Sequence, residues 1–166
     1  MASEIQIDAL LPADMAAKAE AIGVKKASLN AVSMFALAVL AGAFISLGAV
    51  FATTLSAGSL ATAAADGAAA FSTGLPYGIT RLLAGLAFSL GLILVIVGGA
   101  ELFTGNNLIV MAWANRKVST RLLLKNWVIV YLGNFVGSIA TAVLMFLTAQ
   151  YKFGSGAIGV VALAVR

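Results

Sequence analysis

Three stretches of this chain carry no charged side chain, and each is long enough to cross a bilayer: the runs between Lys26 and Asp66, between Arg81 and Glu101, and between Lys125 and Lys152. A spanning helix needs only about 20 mostly apolar residues. Backbone amides in lipid must find partners within the protein, which leaves helices or closed barrels. Runs of this length and composition read as helices, at residues 31–54, 82–100 and 126–151. Composition agrees: 62% of residues are hydrophobic and 10% charged, against about 25% charged in a soluble domain. So few charges cannot coat a soluble surface. The first span lies too far from the start, and is too long, for a secretory signal peptide.

The second run ends in an unusual way. "GGAELFTGNNLIV" (98–110) follows "LAFSLGLILVIV" and passes straight into apolar "LIVMAW". Two readings fit. Glu101 ends the span at the interface, with "LFTGNN" as a loop and "LIVMAW" as a surface helix. Alternatively the span is a broken helix, tolerated at membrane depth only where it is buried or lines a cavity. Breaks of this kind hold small ions in transporters. Thr104 and Asn106 then add side-chain donors, and Glu101 becomes a functional-site candidate, because an intramembrane carboxylate is costly. Gly105 as a helix stop fits both readings. Phe88 and Leu92 lie one turn apart, as packing residues or as a gate.

Charge placement gives the topology. Lys18, Lys25 and Lys26 precede the first span, and Arg116, Lys117, Arg121 and Lys125 join the second to the third. The positive-inside rule puts both segments, and hence the N-terminus, in the cytoplasm. This describes a multi-pass protein of the inner (cytoplasmic) membrane, in contact with membrane lipid. Residues 1–28 form a cytoplasmic unit: Leu10, Leu11, Met15, Ala19 and Ile22 recur at helical spacing, with Asp14, Lys18 and Lys25 assigned to other faces, as in an interfacial amphipathic helix. Pro12 suits its first turn. Residues 29–166 hold the three spans, with an Ala-rich outer connection at 55–78 that could form a short helix. Gly133 and Gly137 share a face and predict close helix contact. Asn126 and Asn134 require hydrogen-bond partners inside the bundle.

"LLPADMAAKAEAIGVKKAS", "AGAFISLGAVF", "AFSLGLILVIVGGAELFTGNN" and "KNWVIVYLGNFVGS" together closely resemble the formate/nitrite transporter family, in order from Leu10 to Arg166. The resemblance implies an all-α membrane protein with half of an aquaporin-like fold. The family has six spans as two inverted three-span repeats, assembled as a homopentamer with a pore in each protomer. It implies transport of small monovalent weak-acid anions, chiefly formate, nitrite and hydrosulfide. It places Leu102, Phe103 and Thr104 on a loop bordering the pore, with Thr104 as the polar contact to substrate. Asn106 joins this pore set, and Phe88 and Leu92 match the apolar constrictions above and below the chamber. The N-terminal helix matches a segment linked to opening and closing. The family has about twice this length, so the sequence is expected to stop before the fourth span. The pore histidine, with its lysine and asparagine, would then lie in the other half.

Formate is the leading substrate expectation; the alternatives are nitrite or hydrosulfide, or a truncated non-transporting scaffold. Two chains pairing in opposite orientation is disfavoured by the uneven Lys/Arg distribution. The chain has no histidine and no cysteine. No nucleophile–base pair, nucleotide motif or metal-ligand cluster stands out, so no enzyme activity, catalytic residue, cofactor, metal site or nucleic-acid partner is expected.

Overall fold

A computed structural model describes residues 11–57 and 75–164 of the chain. The short helix expected in the outer connection lies outside the described residues, as do residues 1–10 of the N-terminal unit. All regular structure among the described residues is helical: α1 (Pro12–Ala27), α2 (Ala31–Ser56), α3 (Tyr77–Val97), α4 (Phe103–Asn106), α5 (Ile109–Ala114), α6 (Thr120–Leu147), a 3-10 turn (Gln150–Lys152) and α7 (Ala157–Ala164). Three helices, α2, α3 and α6, are long and apolar enough to cross a membrane.

The helix limits follow local chemistry. Pro12 occupies the first turn of α1, Asp14 lies near its N-terminus and Lys25 and Lys26 in its last turn, in accord with the helix dipole. The Asn30 side chain caps α2 by accepting from Ser33 N–H at 2.8 Å. Ser119 caps α6 in the same way, at 3.3 Å from Leu122 N. This cap starts the third span at Thr120, before the expected 126, and takes Arg121 and Lys125 into the helix. Likewise α3 begins at Tyr77 and contains Arg81, whose Nε donates to the Tyr77 hydroxyl at 3.0 Å. Charge therefore marks the minimum apolar length, and caps mark the ends.

The middle helix of the bundle is α2, with a different face against each neighbour. Towards α6, a Cβ on Gly133 would sit 2.5 Å from Ala38 Cβ, and one on Gly137 would overlap the Val39 carbonyl oxygen. Towards α3, Gly48 and Gly91 are back to back: a Cβ on Gly48 would lie 2.9 Å from Phe88 O, and one on Gly91 2.7 Å from Phe44 O. Lipid tails are as apolar as leucine, so close backbone approach rather than hydrophobic burial holds such helices. The two glycines that share a face in the sequence thus find their partner within the chain.

The basic end is closed by α1. Its Glu20, Gly23 and Ala27 are buried, and Ala27 joins Ile109, Ala112, Val118 and Leu123 in one apolar cluster. Lys117 Nζ donates to Glu20 Oε2 at 2.9 Å across the α5–α6 turn. That hydrogen bond holds the Glu20 carboxyl below its ordinary value of 4.5. An acid with a lowered folded pKa stabilises above its unfolded pKa, and the contribution is lost as pH falls through the folded value. The tether is therefore complete at neutral pH and weakens below the ordinary carboxylate range. Proteolytic cleavage within α1 should accelerate as pH falls below the ordinary carboxylate range, with Glu20→Gln removing the dependence. A cleavage rate flat with pH in the unsubstituted protein would dismiss the tether.

Candidate functional site: the broken second span

The second span stops because of glycine. Gly99 has φ +60°, the left-handed region. Ala100 N donates to Val95 O at 2.9 Å and Gly99 N to Ile96 O at 3.2 Å, the paired bonds of a Schellman ending. The chain then runs extended through Leu102, makes the single turn of α4, and resumes as α5. Of the two readings open in the sequence, the broken helix is the observed one. Glu101 does not reach an aqueous loop: it is 4% exposed, and its backbone N–H bonds to Leu37 O on α2 at 3.2 Å.

Extended backbone inside a bundle needs partners, and α6 provides them. Asn134 Oδ1 accepts from Phe103 N–H at 2.9 Å. Its Nδ2 donates to Ala38 O at 2.8 Å and Glu101 O at 2.9 Å. One amide thus ties the break to α2 and α6 together. Seven residues earlier, two turns back along α6, Trp127 Nε1 donates to Asn106 O at 3.2 Å.

The Glu101 side chain sits in a closed polar set. Lys26 Nζ is 2.8 Å from Glu101 Oε1 and donates to Asn106 Oδ1 at 3.0 Å. Asn106 Nδ2 donates to Glu101 Oε2 at 2.7 Å and to Asn126 Oδ1 at 2.8 Å. Asn126 Nδ2 returns to Lys26 O at 3.2 Å. Each carboxylate oxygen has a donor, and both Asn106 amide hydrogens and its oxygen are used. The buried charge is therefore paired and hydrogen-bonded, the condition under which burial is tolerated.

A pocket of about 830 Å³ opens against the break, lined by Leu92, Val95 and Ile96 of α3, by Glu101, Leu102, Thr104 and Gly105, and by Ile22, Lys25 and Lys26 of α1. The structure thus brings together Leu92, Glu101, Leu102 and Thr104 from the expected set. The other three lie elsewhere. Asn106, expected on the pore wall, is wholly buried, because Glu101, Lys26 and Asn126 engage every polar atom of its side chain. Phe103 sits edge-on between Trp127 and Tyr131, with ring centroids at 6.3 and 5.6 Å. Phe88 is half-buried one turn from Leu92, outside the pocket lining. Sequence reasoning did not connect Lys26, Asn126, Trp127 or Asn134 with the break. The need of Asn126 and Asn134 for partners was a signal, but nothing in the sequence named the partner. No group of three or more His, Cys, Asp or Glu able to hold a metal occurs among the described residues.

A profile of the formate/nitrite transporter family matches residues 13–165. The chain belongs to the formate/nitrite transporter family. It is 41% identical over 157 residues to the formate channel FocA of Escherichia coli K12, covering 94% of this chain and 50% of that protein. It is 36% identical to the formate channel FocA of Haemophilus influenzae, with the same coverages. A solved pentameric formate channel with formate bound superposes with a TM-score of 0.68 at 42% identity, over 81% of this chain and 48% of that one. The chain spans about half the length of these relatives, and its three helices with a broken second span form the corresponding half of the transporter fold.

Proposed function

We propose that this chain forms one wall of a membrane channel for small monovalent weak-acid anions, with formate as the leading substrate. The observation that carries the reading is the break at Gly99–Leu102, held by side chains of α6 so that Thr104 faces a pocket whose α3 wall is apolar. The formate-channel relatives support formate over nitrite and hydrosulfide, which have similar size and charge. The wall residues are Leu92, Leu102 and Thr104. Asn106, with Glu101 and Lys26, holds the loop in shape. Phe103 anchors it to α6, and Phe88 narrows the path one turn further along α3.

An isolated ion in an apolar slot lined by Leu92, Val95, Ile96 and Leu102 is costly, so the neutral acid is the form that crosses it. The proton must come from elsewhere, because both Glu101 oxygens are already engaged by Lys26 and Asn106. We assign the donor to the half of the relatives that this chain does not match. The same reading gives a homopentamer, passive or proton-coupled and without enzymatic activity, in the cytoplasmic membrane with membrane lipid around it. Lys18, Lys25, Lys26 and the α5–α6 turn lie at the cytoplasmic end.

The test is formate flux into proteoliposomes, with nitrite and hydrosulfide in parallel. Intact mass from the native membrane should accompany it, to establish whether the assayed chain carries the second half. Inertness towards all three anions by a protein of twice this length would sink the proposal. Within it, Thr104→Val keeps shape and removes the hydroxyl. Flux is expected to fall about tenfold, the order of one net hydrogen bond, with assembly intact. Unchanged flux would reduce Thr104 to a packing residue.

A further inference from the structure

The N-terminal helix is docked back to front. An ordinary surface helix buries its large apolar residues and exposes its cations. Here the buried face of α1 is Glu20, Gly23 and Ala27, and Gly23 sits so close to α5 that a Cβ would lie 3.3 Å from Ile109 Cα. Leu11, Met15, Lys18 and Ile22 fall at i, i+4, i+7 and i+11, one stripe on the opposite side of the helix. This corrects the placement of Lys18 off the apolar face. Leu11 is 70% exposed, Met15 53% and Ile22 46%. Ile22 turns over the pocket already described, whereas Leu11, Met15 and Lys18 are not among its lining residues.

The same end of the bundle carries exposed Lys18, Arg116, Arg121 and Lys125, none of them in an ion pair among the described residues. Asp14 is exposed there as well, while Glu20 and Glu101 are already paired. Only Ser28–Asn30 separates α1 from α2, which fixes α1 at the depth where the first span begins.

We propose that this outer face of α1, with the surrounding cations, binds the anionic phospholipid surface of the bilayer. Leu11 and Met15 enter the boundary between headgroups and acyl chains. The Lys18 stem lies along them and its ammonium meets lipid phosphate, as long cationic side chains do at interfaces. Arg116, Arg121 and Lys125 extend the attraction around the bundle, because each cation near an anionic surface adds to binding. A neighbouring copy in a five-fold ring would meet this face with a different part of its surface, and the labelling experiment below separates that occupant from lipid. The proposal rests on membrane residence and not on anion transport, so it survives a negative flux result.

These 166 residues hold no cysteine, so a cysteine placed on α1 is the only labelling site within them. The protein carrying Met15→Cys, and separately Ala17→Cys on the exposed flank of α1, is labelled with an environment-sensitive fluorophore. It is then reconstituted in phosphatidylglycerol or phosphatidylcholine vesicles containing brominated acyl chains. Lipid quenching at position 15 should exceed that at 17 by at least about threefold in phosphatidylglycerol. The ratio should fall towards one in phosphatidylcholine, and likewise on adding Lys18→Glu. Equal quenching at the two positions overturns the proposal. So does quenching at 15 that ignores lipid charge. Protection of position 15 from both lipid and aqueous quenchers also overturns it, and assigns the face to protein.

Discussion

Gly137→Ala is expected to abolish the correctly assembled protein, although it adds one methyl group. The new Cβ would overlap Val39 O and stand 2.9 Å from Val39 C and 3.0 Å from Ala43 N. All three are backbone atoms of α2, so no side chain can swing aside and the spans themselves must separate. Overpacking of this kind costs roughly 3 kcal/mol or more. It also displaces Asn134, which lies one turn away on α6 and ties the break to Ala38 and Glu101. Size-exclusion profiles and thermal unfolding in detergent are the measurement. Gly85→Ala is the matched control: nothing lies within 4 Å of its Cβ, and the better helix propensity of alanine should leave stability equal or raised by about 0.5–1 kcal/mol. Equal behaviour of the two variants would show that α2 and α6 do not cross at Gly137.

Lys26→Met should have the next largest effect. The Glu101 side chain is 5% exposed and that of Lys26 25%. Removing the cation leaves a buried carboxylate with only Asn106 as donor, and breaking one side of a buried pair costs about 3–5 kcal/mol. Two further effects follow. Asn106 Oδ1 loses its donor, and the C-terminal end of α1 loses its side-chain link to the break. The expected result is a large fall in thermal stability together with loss of flux. Adding Glu101→Gln should recover most of the stability, because the buried charge is gone and a side-chain oxygen still faces Asn106 Nδ2. A double-mutant cycle measures the coupling directly. Additive losses in that cycle would mean that Lys26 and Glu101 act independently and that the network does not hold the break.

Two consequences of the network connect packing to the proposed transport. First, the pocket wall is shaped from behind. Thr104 and Leu102 face the pocket, but Asn134, Trp127 and Asn126 on α6 and Lys26 on α1 set where they stand. Substitutions at the three α6 positions, none of which lines the pocket, should therefore change flux without touching substrate. Second, the intramembrane acid is structural in this half. A carboxylate with both oxygens engaged shapes the loop; in the proposed channel the polar contact to substrate is then assigned to the Thr104 hydroxyl.

The sequence alone determined the membrane class, the three spans and the basic end, and it marked where the second span is interrupted; whether that interruption is a loop or a broken helix was decided by the tertiary structure. The properties legible in sequence are additive along a chain: each depends on a local sum of hydropathy, or on a local signal such as Glu101, Thr104 and Asn106 between two apolar runs. Gly133 and Gly137 were legible for the same reason, since four-residue spacing is a local property of one helix. Family resemblance supplied the expected pore set. Only the tertiary structure decided which of those residues meet. Asn106 and Thr104 stand two positions apart in one polar motif, yet one is sealed behind the loop and the other faces the pocket. That choice is made by Lys26 and Asn126, 80 and 20 residues away from Asn106, through bonds that no local pattern encodes. The outward turn of the apolar stripe on α1 has the same origin. Periodicity reveals that a helix has two faces, whereas Gly23 against α5 and Glu20 on Lys117 determine which of the two is docked.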